Sequence, residues 1–336
     1  MTKKPIVSFL ALSLLLLLML PLSKPEHARG TKGLMPAGTL DYLPTSDAIV
    51  LVDVHTLLNE ALPRLYAGDQ AKLDQVEAEV AKFKTRTGVD PRLFDRVTVG
   101  MRYVYPSPNS TRVETVAIAH GTFDPKALVA ASRNAAHGGY REEHHHGATI
   151  SVITINDRIK LAGLWDMKVN DLAVCPLDAN TIAIGSPASV RAAVEVGKAG
   201  VASNTALAAL AGRDPNALVG FGGNVTRALL NNLHVGNDSV AKDAASIRQV
   251  YGSIGSTETG FSLVLVARTG TPAEAASLSE TVEGLKQLGG LVVGNMQSAK
   301  KKAAQSGLNN LKIATQGNEV QISTQVAAAD LAAATK

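Results

Sequence analysis

The feature that most constrains the fold is a leucine-rich run of 17 uncharged residues, Ile6–Leu22, which follows Lys3 and Lys4. A basic start followed by an apolar core is the layout of an export signal. A globular domain would not leave the five consecutive leucines at 14–18 on its surface. We therefore expect residues 1–23 to send the chain out of the cytoplasm, so that only the residues after them build the folded core.

The length of this run and the residues after it favour retention as a membrane anchor. The run exceeds the roughly 7–15 residues of a signal core and falls just short of the about 18–20 of a spanning helix. Cleavage needs small residues at positions −1 and −3, but Ser23 follows Pro21 and Leu22, and Ala28 comes two places after Glu26. We expect a single-pass anchor with the body outside the cytoplasm. Signal removal, which would leave a secreted or periplasmic protein, is the alternative.

Charge and composition argue against a nucleic-acid partner. The chain has 33 Lys and Arg against 29 Asp and Glu, and Lys3 and Lys4 supply two of the four excess charges. Aromatic residues make up only 4% of the chain, and its one basic run, Lys300–Lys302, is interpreted as a solvated helix face. Nucleic-acid binders need a concentrated cationic face and aromatic side chains for stacking. The expected partners are a membrane, through the anchor, and an unknown protein or small-molecule ligand.

The rest of the chain divides into a tether and two units. Residues 24–44 mix glycine, proline and scattered charge without periodicity, which predicts a flexible tether. The first unit spans residues 45–199 and the second spans 200–336. The single cysteine, Cys175, excludes an internal disulfide framework, and its apolar neighbours predict a buried small side chain.

The first unit shows strands in hairpins with helices between them. Apolar spacing predicts helices over His55–Leu65 and Asp69–Thr87, and Asp124 and Ser186, each followed by proline, predict two further helix starts. A β-branched run predicts a first strand at Ala48–Val52. Alternation predicts three hairpins: Arg96–Tyr105 with Val113–His120, Tyr140–His144 with Ala148–Ile155, and Leu172–Pro176 with Thr181–Gly185.

The second unit repeats this order of elements. The segments at 217–232, 260–272 and 311–325 echo those at 48–60, 116–125 and 172–185, and only the hairpin at 140–155 has no counterpart. A helical region, 272–306, is expected to break at Gly289–Gly290. We predict an α+β fold with two related units of antiparallel sheet, built from hairpins and covered on one face by helices, after the amino-terminal signal or anchor helix.

This layout resembles that of uncharacterised exported bacterial proteins with an amino-terminal anchor. The resemblance extends over most of the body and concerns the order of elements, including the turn at 178–180 and the helix that begins after Ser186. It implies an extracytoplasmic pair of α+β domains. It brings no catalytic residues that could be carried over to this chain.

The run His144–His146 is the one concentration of metal-binding side chains in the sequence. If the strand pattern extends through it, the first and third histidines share a face with Glu142. A zinc site needs three or four ligands, so a solvated hairpin tip without a cofactor is the main prediction. Zinc is the alternative, and its candidate ligands are His144, His146 and Glu142.

Two other segments supply candidate binding residues. The glycines that follow the strand at 217–219 could present backbone amides to an anion, although the full phosphate-binding signatures are absent. These candidates are Gly220, Gly222 and Gly223. Trp165 is the candidate anchor for a protein partner, and burial in the core is the alternative interpretation.

The sequence contains no coherent catalytic set. We therefore expect a membrane-anchored, extracytoplasmic protein that acts as a non-enzymatic binding or scaffold module of the cell envelope. One alternative is a hydrolase, either metal-dependent through the hairpin of His144 and His146 or with another site. A second alternative is a partner-binding subunit of a membrane complex.

Overall fold

The computed structural model describes residues 37–107, 110–136, 139–161, 165–200, 203–227, 229, 238–294, 296 and 298–334. The predicted signal or anchor, residues 1–23, and most of the predicted tether lie outside these residues. The described part is α+β, as expected, because its helices pack on an antiparallel sheet. None of its helices is both long and apolar enough to cross a membrane.

The described strands form one sheet of twelve, in which neighbouring strands are antiparallel. In chain order the strands are β1 Ala48–Asp53, β2 Phe94–Ser107, β3 Ser110–Gly121, β4 Tyr140–His145, β5 Ala148–Leu161, β6 Trp165–Pro176, β7 Thr181–Gly185, β8 Ala217–Asn224, β9 Ile247–Ser256, β10 Gly260–Thr269, β11 Lys312–Gln316 and β12 Glu319–Ala327. Across the sheet the order is β11-β12-β10-β9-β8-β1-β2-β3-β7-β6-β5-β4. The three hairpins predicted for the first unit are present as β2–β3, β4–β5 and β6–β7.

Helices connect the strands and cover the sheet. The second helix, α2, consists of three consecutive segments without a gap: Val54–Thr56, Leu57–Ala61 and Leu62–Leu65. The middle segment is a π-helix. The others are α1 Ala37–Leu40, α3 Gln70–Thr87, α4 Pro125–Ala135, α5 Pro187–Ala199, α6 Thr205–Ala211, α7 Asp238–Ser246, α8 Pro272–Gly294, α9 Ser298–Asn309 and α10 Ala328–Ala334.

Local sequence signals account for several helix starts. The side chain of Asp124 accepts a hydrogen bond from the backbone N–H of Lys126, and Pro125 follows as the first helical residue. Ser186 caps α5 in the same way, and Asp69 caps α3 through the N–H of Lys72. These caps satisfy backbone donors that have no partner within the helix, so the predicted starts are confirmed.

Strands β1 and β8 join the two predicted units at the centre of the sheet. They pair antiparallel from Ala48 opposite Gly223 to Val52 opposite Val219. One buried apolar cluster includes Val52 from β1 as well as Phe261 and Val326 from the second unit. The two units therefore share a sheet and a core.

Apolar side chains are buried on both faces of this sheet, whereas the sequence predicted helices on one face only. On β1, Val52 belongs to the larger cluster, which contains side chains of α2, α4, α9 and α10. Ile49 points to the opposite face, where α5, α6 and Leu43 form a second cluster. Helices thus cover both faces, because the long connection from β7 to β8 supplies α5 and α6.

The last residues of the predicted tether belong to the folded body. Leu43 is fully buried in the second cluster, and its carbonyl accepts a hydrogen bond from the amide of Asn204. The hydroxyls of Thr39 and Thr98 are 2.8 Å apart and buried. The folded body therefore includes residues before the expected start at Thr45, and the described part of it begins at residue 37.

The predicted helix break at Gly289–Gly290 is wrong, because both glycines lie inside α8. A Cβ added to Gly289 would lie 3.5 Å from Cδ1 of Leu308, on α9. These glycines lie where α9 packs against α8. The chain instead leaves α8 after Gly294, and α9 begins at Ser298.

Candidate metal centre

The turn of the β4–β5 hairpin determines where the histidines point. His145 pairs with Ala148, so the loop between the strands is only His146 and Gly147. Both loop residues have positive φ, 49° and 78°, as a type I′ hairpin turn requires. His146 is the one non-glycine residue with positive φ in the described part of the chain. Asn, Asp and His are the side chains most often found in this conformation.

This turn ends the strand alternation before the third histidine. His146 is therefore not on the same strand face as His144, which differs from the sequence-based expectation. Its ring lies beside that of His145, with centroids 4.5 Å apart and planes at 79°. The pair of imidazoles that the fold brings together is thus His145 and His146.

Helix α5 supplies a carboxylate to this pair. Arg191 Nη1 donates to Oε2 of Glu143 over 2.5 Å and ties the helix to β4. Glu195 lies one helical turn later on the same face. Its Oε1 is 2.8 Å from Nε2 of His145.

His145, His146 and Glu195 form what we call the metal corner. Each offers one ligand atom, and the three atoms lie within 4.8 Å of one another. Ligands of one zinc ion, each about 2.0–2.2 Å from it, can be at most about 4.4 Å apart, so a small adjustment of the side chains is enough for binding. The side chains have room for this, because 25% of His145 and 53% of Glu195 remain exposed. Two imidazoles and a carboxylate suit zinc and other divalent transition metals.

The ammonium group of Lys198 lies close to the metal corner and repels a metal ion that would bind there. A Cβ added to Gly147 would lie 3.4 Å from Nζ of Lys198, on α5. Lys198 is exposed and can move into solvent. Its charge must lower the affinity of the corner for a metal ion, and the amount depends on salt.

The predicted ligands Glu142 and His144 make other contacts. The Glu142 carboxylate accepts hydrogen bonds from Tyr140 and Arg133, and these bonds lower its pKa. Nδ1 of His144 is 3.3 Å from Oγ1 of Thr149. The predicted trio and the metal corner thus share only His146.

The predicted anion-binding glycines lie within β8 instead of in a loop. Strand β8 pairs with β1 on one side and β9 on the other, so its backbone amides belong to the sheet. A Cβ at Gly220 would lie 1.9 Å from the carbonyl oxygen of Ala211, and one at Gly223 would lie 2.9 Å from Cβ of Ala48. A Cβ at Gly222 would lie 3.2 Å from the carbonyl oxygen of Leu207 in α6, a looser but still tight contact. Close packing explains why these residues are glycines.

The remaining sequence candidates are placed in strand β6. Cys175 is buried in the second apolar cluster, as predicted, and burial raises its thiol pKa to about 11. Trp165 is the first residue of β6, but its side chain lies outside the described part of the structure. Its proposed contact with a partner stays a prediction.

A second polar cluster lies on β9, β10 and β12. Tyr251 has the guanidinium groups of Arg213 and Arg268 5.4 Å from its ring centroid. Arg268 donates to Glu319 through Nε over 2.9 Å and Nη2 over 2.7 Å, which raises the pKa of Arg268. Because these charges pair with one another, the cluster is interpreted as structural.

Sequence reasoning missed His145 and Glu195. The two-residue His-Gly loop was a local signal, because a turn with positive φ at His146 removes that residue from the strand alternation. For Glu195 there was no such signal, since it lies 50 residues from His145 in the chain and approaches it only through the packing of α5.

No protein family and no curated protein sequence matches this chain. Three crystal structures of the protein TP0453 align with 88% of this chain and 96% of theirs. Crystal form III has a TM-score of 0.43 at 10% identity, form I 0.38 at 11% and form IV 0.40 at 9%. Similarity at this level carries no argument about function.

Proposed function

We propose that this protein is a non-enzymatic, extracytoplasmic binding module that holds a divalent transition-metal ion, with zinc as the leading candidate, at its metal corner. The observation that carries the proposal is the placement of three ligand atoms, from His145, His146 and Glu195, within 4.8 Å of one another. Three ligands leave at least one coordination position open, which a water molecule or a donor from a partner can occupy. In this proposal the run Ile6–Leu22 anchors the module to the membrane. Release after signal cleavage is the alternative.

Binding is favoured over hydrolysis by the surroundings of the metal corner. A metal-dependent hydrolase needs a further group beside the metal-bound water to take its proton. Among the described residues, the nearest acidic neighbour in sequence on this side of the hairpin is Glu143, which pairs with Arg141 and Arg191. Each of its carboxylate oxygens faces a guanidinium nitrogen, Oε1 at 3.4 Å and Oε2 at 2.5 Å, so neither oxygen is free to take a proton from that water. Hydrolysis through His144 and His146 and partner binding through Trp165 remain alternative proposals.

We further propose that the two units arose by duplication. The strand order supports this, because β1-β2-β3-β7-β6 in one half corresponds to β8-β9-β10-β12-β11 in the other. The β4–β5 hairpin is outside this correspondence. Two of the three metal-corner residues, His145 and His146, therefore belong to a hairpin that has no counterpart in the described strands of the second unit, and Glu195 comes from α5.

Metal binding is tested on the full-length protein without an affinity tag, purified in detergent. Equilibrium dialysis against Zn²⁺, followed by elemental analysis, should give about one ion per chain. The double variant His145→Ala, His146→Ala should lose that ion, while the matched control His144→Ala should retain it. Absence of stoichiometric zinc, or equal loss in both variants, would contradict the proposal.

The hydrolase alternative needs a separate measurement. The zinc-loaded protein is assayed with activated carboxylic and phosphate esters, beside the double variant. Binding without catalysis predicts equal rates for the two proteins. A rate that disappears only in the double variant would favour the hydrolase.

A further inference from the structure

Exposed apolar side chains gather at one helical hairpin. The described residues contain five large apolar residues with at least 40% of their surface exposed, and three of them lie in α8 or just after it. These are Leu285, Leu288 and Met296, with 47%, 57% and 40% of their surface accessible. Exposed apolar side chains that cluster indicate a surface that contacts something.

The two halves of α8 have different surroundings. In the first half, Ala275 and Leu278 are buried against β10 and β12, and the Ser277 hydroxyl donates to Asp243 of α7 over 2.8 Å. Beyond Val282, the helix continues for three more turns. Leu285 and Leu288, three residues apart, share one side of this second half. The second half thus exposes two leucines, whereas the first half buries Ala275 and Leu278.

Helix α9 holds this exposed half in place. Leu308 of α9 packs against α8 at Gly289. At the tip, Nζ of Lys301 donates to the carbonyl oxygen of Gly294 over 2.7 Å. The exposed leucines therefore lie on a braced pair of helices, which we call the α8–α9 hairpin.

The α8–α9 hairpin is cationic only beyond Glu283. Its earlier residues include Glu274 and Glu280, and Glu283 pairs with Lys286 over 3.7 Å. Residues 284–318 contain five lysines and no Asp or Glu, in a chain whose charges otherwise nearly balance. Lys300 and Lys302, at the start of α9, are exposed. The lysines of the segment are Lys286, Lys300, Lys301, Lys302 and Lys312.

Apolar side chains beside lysines are typical of a helix that lies in the interface of an anionic membrane. A nucleic acid is a poorer fit, because residues 272–318 contain no aromatic side chain on which a base could stack. Because α8 cannot span a bilayer, the contact must be at the surface.

We propose that the α8–α9 hairpin docks on a bilayer surface that contains anionic lipids. Leu285, Leu288 and Met296 enter the boundary between headgroups and acyl chains, and Lys300 and Lys302 contact anionic headgroups. This contact is separate from the predicted anchor at Ile6–Leu22. It would hold the second unit against the membrane and fix the orientation of the body.

The test is a fluorescent label at residue 296 of the full-length protein. Native Cys175 is buried, so a thiol-reactive, polarity-sensitive dye labels the Met296→Cys variant at the introduced cysteine. The matched control is Ala78→Cys, on exposed helix α3. Each protein is incorporated into vesicles of phosphatidylcholine alone or with 30% phosphatidylglycerol.

The proposal predicts a blue shift and quenching by brominated lipids for the label at residue 296, only in the anionic vesicles. The label at residue 78 should respond equally to both vesicles. Changing Lys300 and Lys302 to Gln, with Lys301 intact, should weaken the docked state about tenfold or more, since each lysine near an anionic surface contributes about fivefold. Changing Leu285 and Leu288 to Ser should abolish quenching.

Two outcomes would overturn the proposal. In one, the label at residue 296 responds equally to neutral and anionic vesicles. In the other, the lysine and leucine variants, checked for unchanged thermal unfolding, quench as strongly as the parent protein.

Discussion

Nε2 of His145 lies 2.8 Å from Oε1 of Glu195, although the two residues are 50 positions apart in the chain. This contact connects the tip of the β4–β5 hairpin to α5. The ion pair of Arg191 with Glu143, one helical turn earlier, connects the same two elements. The hairpin is therefore held in register with the helix that supplies the third ligand of the metal corner.

Glu195→Gln should remove most of the zinc affinity with little effect on stability. The substitution replaces a carboxylate ligand by a weak amide ligand, while the lost pair is exposed and contributes less than about 1 kcal/mol to folding. Zinc titration by calorimetry and thermal unfolding measure the two effects. The matched control is Glu143→Gln, which removes the charge of a neighbouring carboxylate that is not a ligand and should weaken zinc binding much less than Glu195→Gln does. Equal weakening by both substitutions would show that hairpin position, and not ligation, is responsible.

Lys198→Gln should strengthen zinc binding about three- to tenfold at low salt. The substitution removes a positive charge close to the metal corner and leaves the three ligands in place. Repeating the titration at 0.5 M NaCl should shrink the difference, because salt screens exposed charges. Unchanged or weaker binding at low salt would argue that the ion binds elsewhere.

Gly220→Ala should destabilise the protein by about 1–3 kcal/mol. The added methyl group would overlap the carbonyl oxygen of Ala211, so that α6 must move away from the sheet. Gly284→Ala is the matched control, because its methyl group meets no atom within 4 Å in the middle of α8. That control should gain about 0.5–1 kcal/mol from helix propensity. Urea unfolding distinguishes the two, and similar effects would contradict the packing that we describe.

Stability at high pH should depend on Tyr42, which donates to Asp178 over 2.9 Å. Burial, followed by this hydrogen bond and the charge of Asp178, raises the pKa of Tyr42 to about 12. The folded protein therefore keeps its phenol proton where the unfolded chain, with a pKa near 10, loses it. Stability should fall between about pH 10 and pH 12 because of this group.

The Tyr42→Phe variant tests this dependence. It should be less stable than the parent at pH 8, because Asp178 loses a donor, and the difference should shrink as pH rises to 12. The other tyrosines titrate in both proteins, so only the difference between the two urea-unfolding curves is informative. A difference that does not change with pH would argue against the contact between Tyr42 and Asp178.

Local signals in the sequence predicted the elements well and their assembly poorly. The caps at Asp124 and Ser186 marked helix starts because a side chain satisfies donors within its own helical turn. The predicted break at Gly289–Gly290 was wrong because a glycine can equally serve close helix packing, which depends on Leu308. A glycine that breaks a helix and a glycine that allows close helix packing look alike in the sequence, and only the packed residue, here Leu308, distinguishes them.

The sequence by itself determined the α+β class, the three hairpins of the first unit, the helix starts and the burial of Cys175, because each depends on periodicity, caps or apolar neighbours. Only the tertiary structure decided that β1 pairs with β8, that helices cover both faces, and that Glu195 meets His145 and His146. These contacts join residues far apart in the chain, and their energy comes from packing that no local pattern records. The metal corner is accordingly a product of how α5 lies on the sheet.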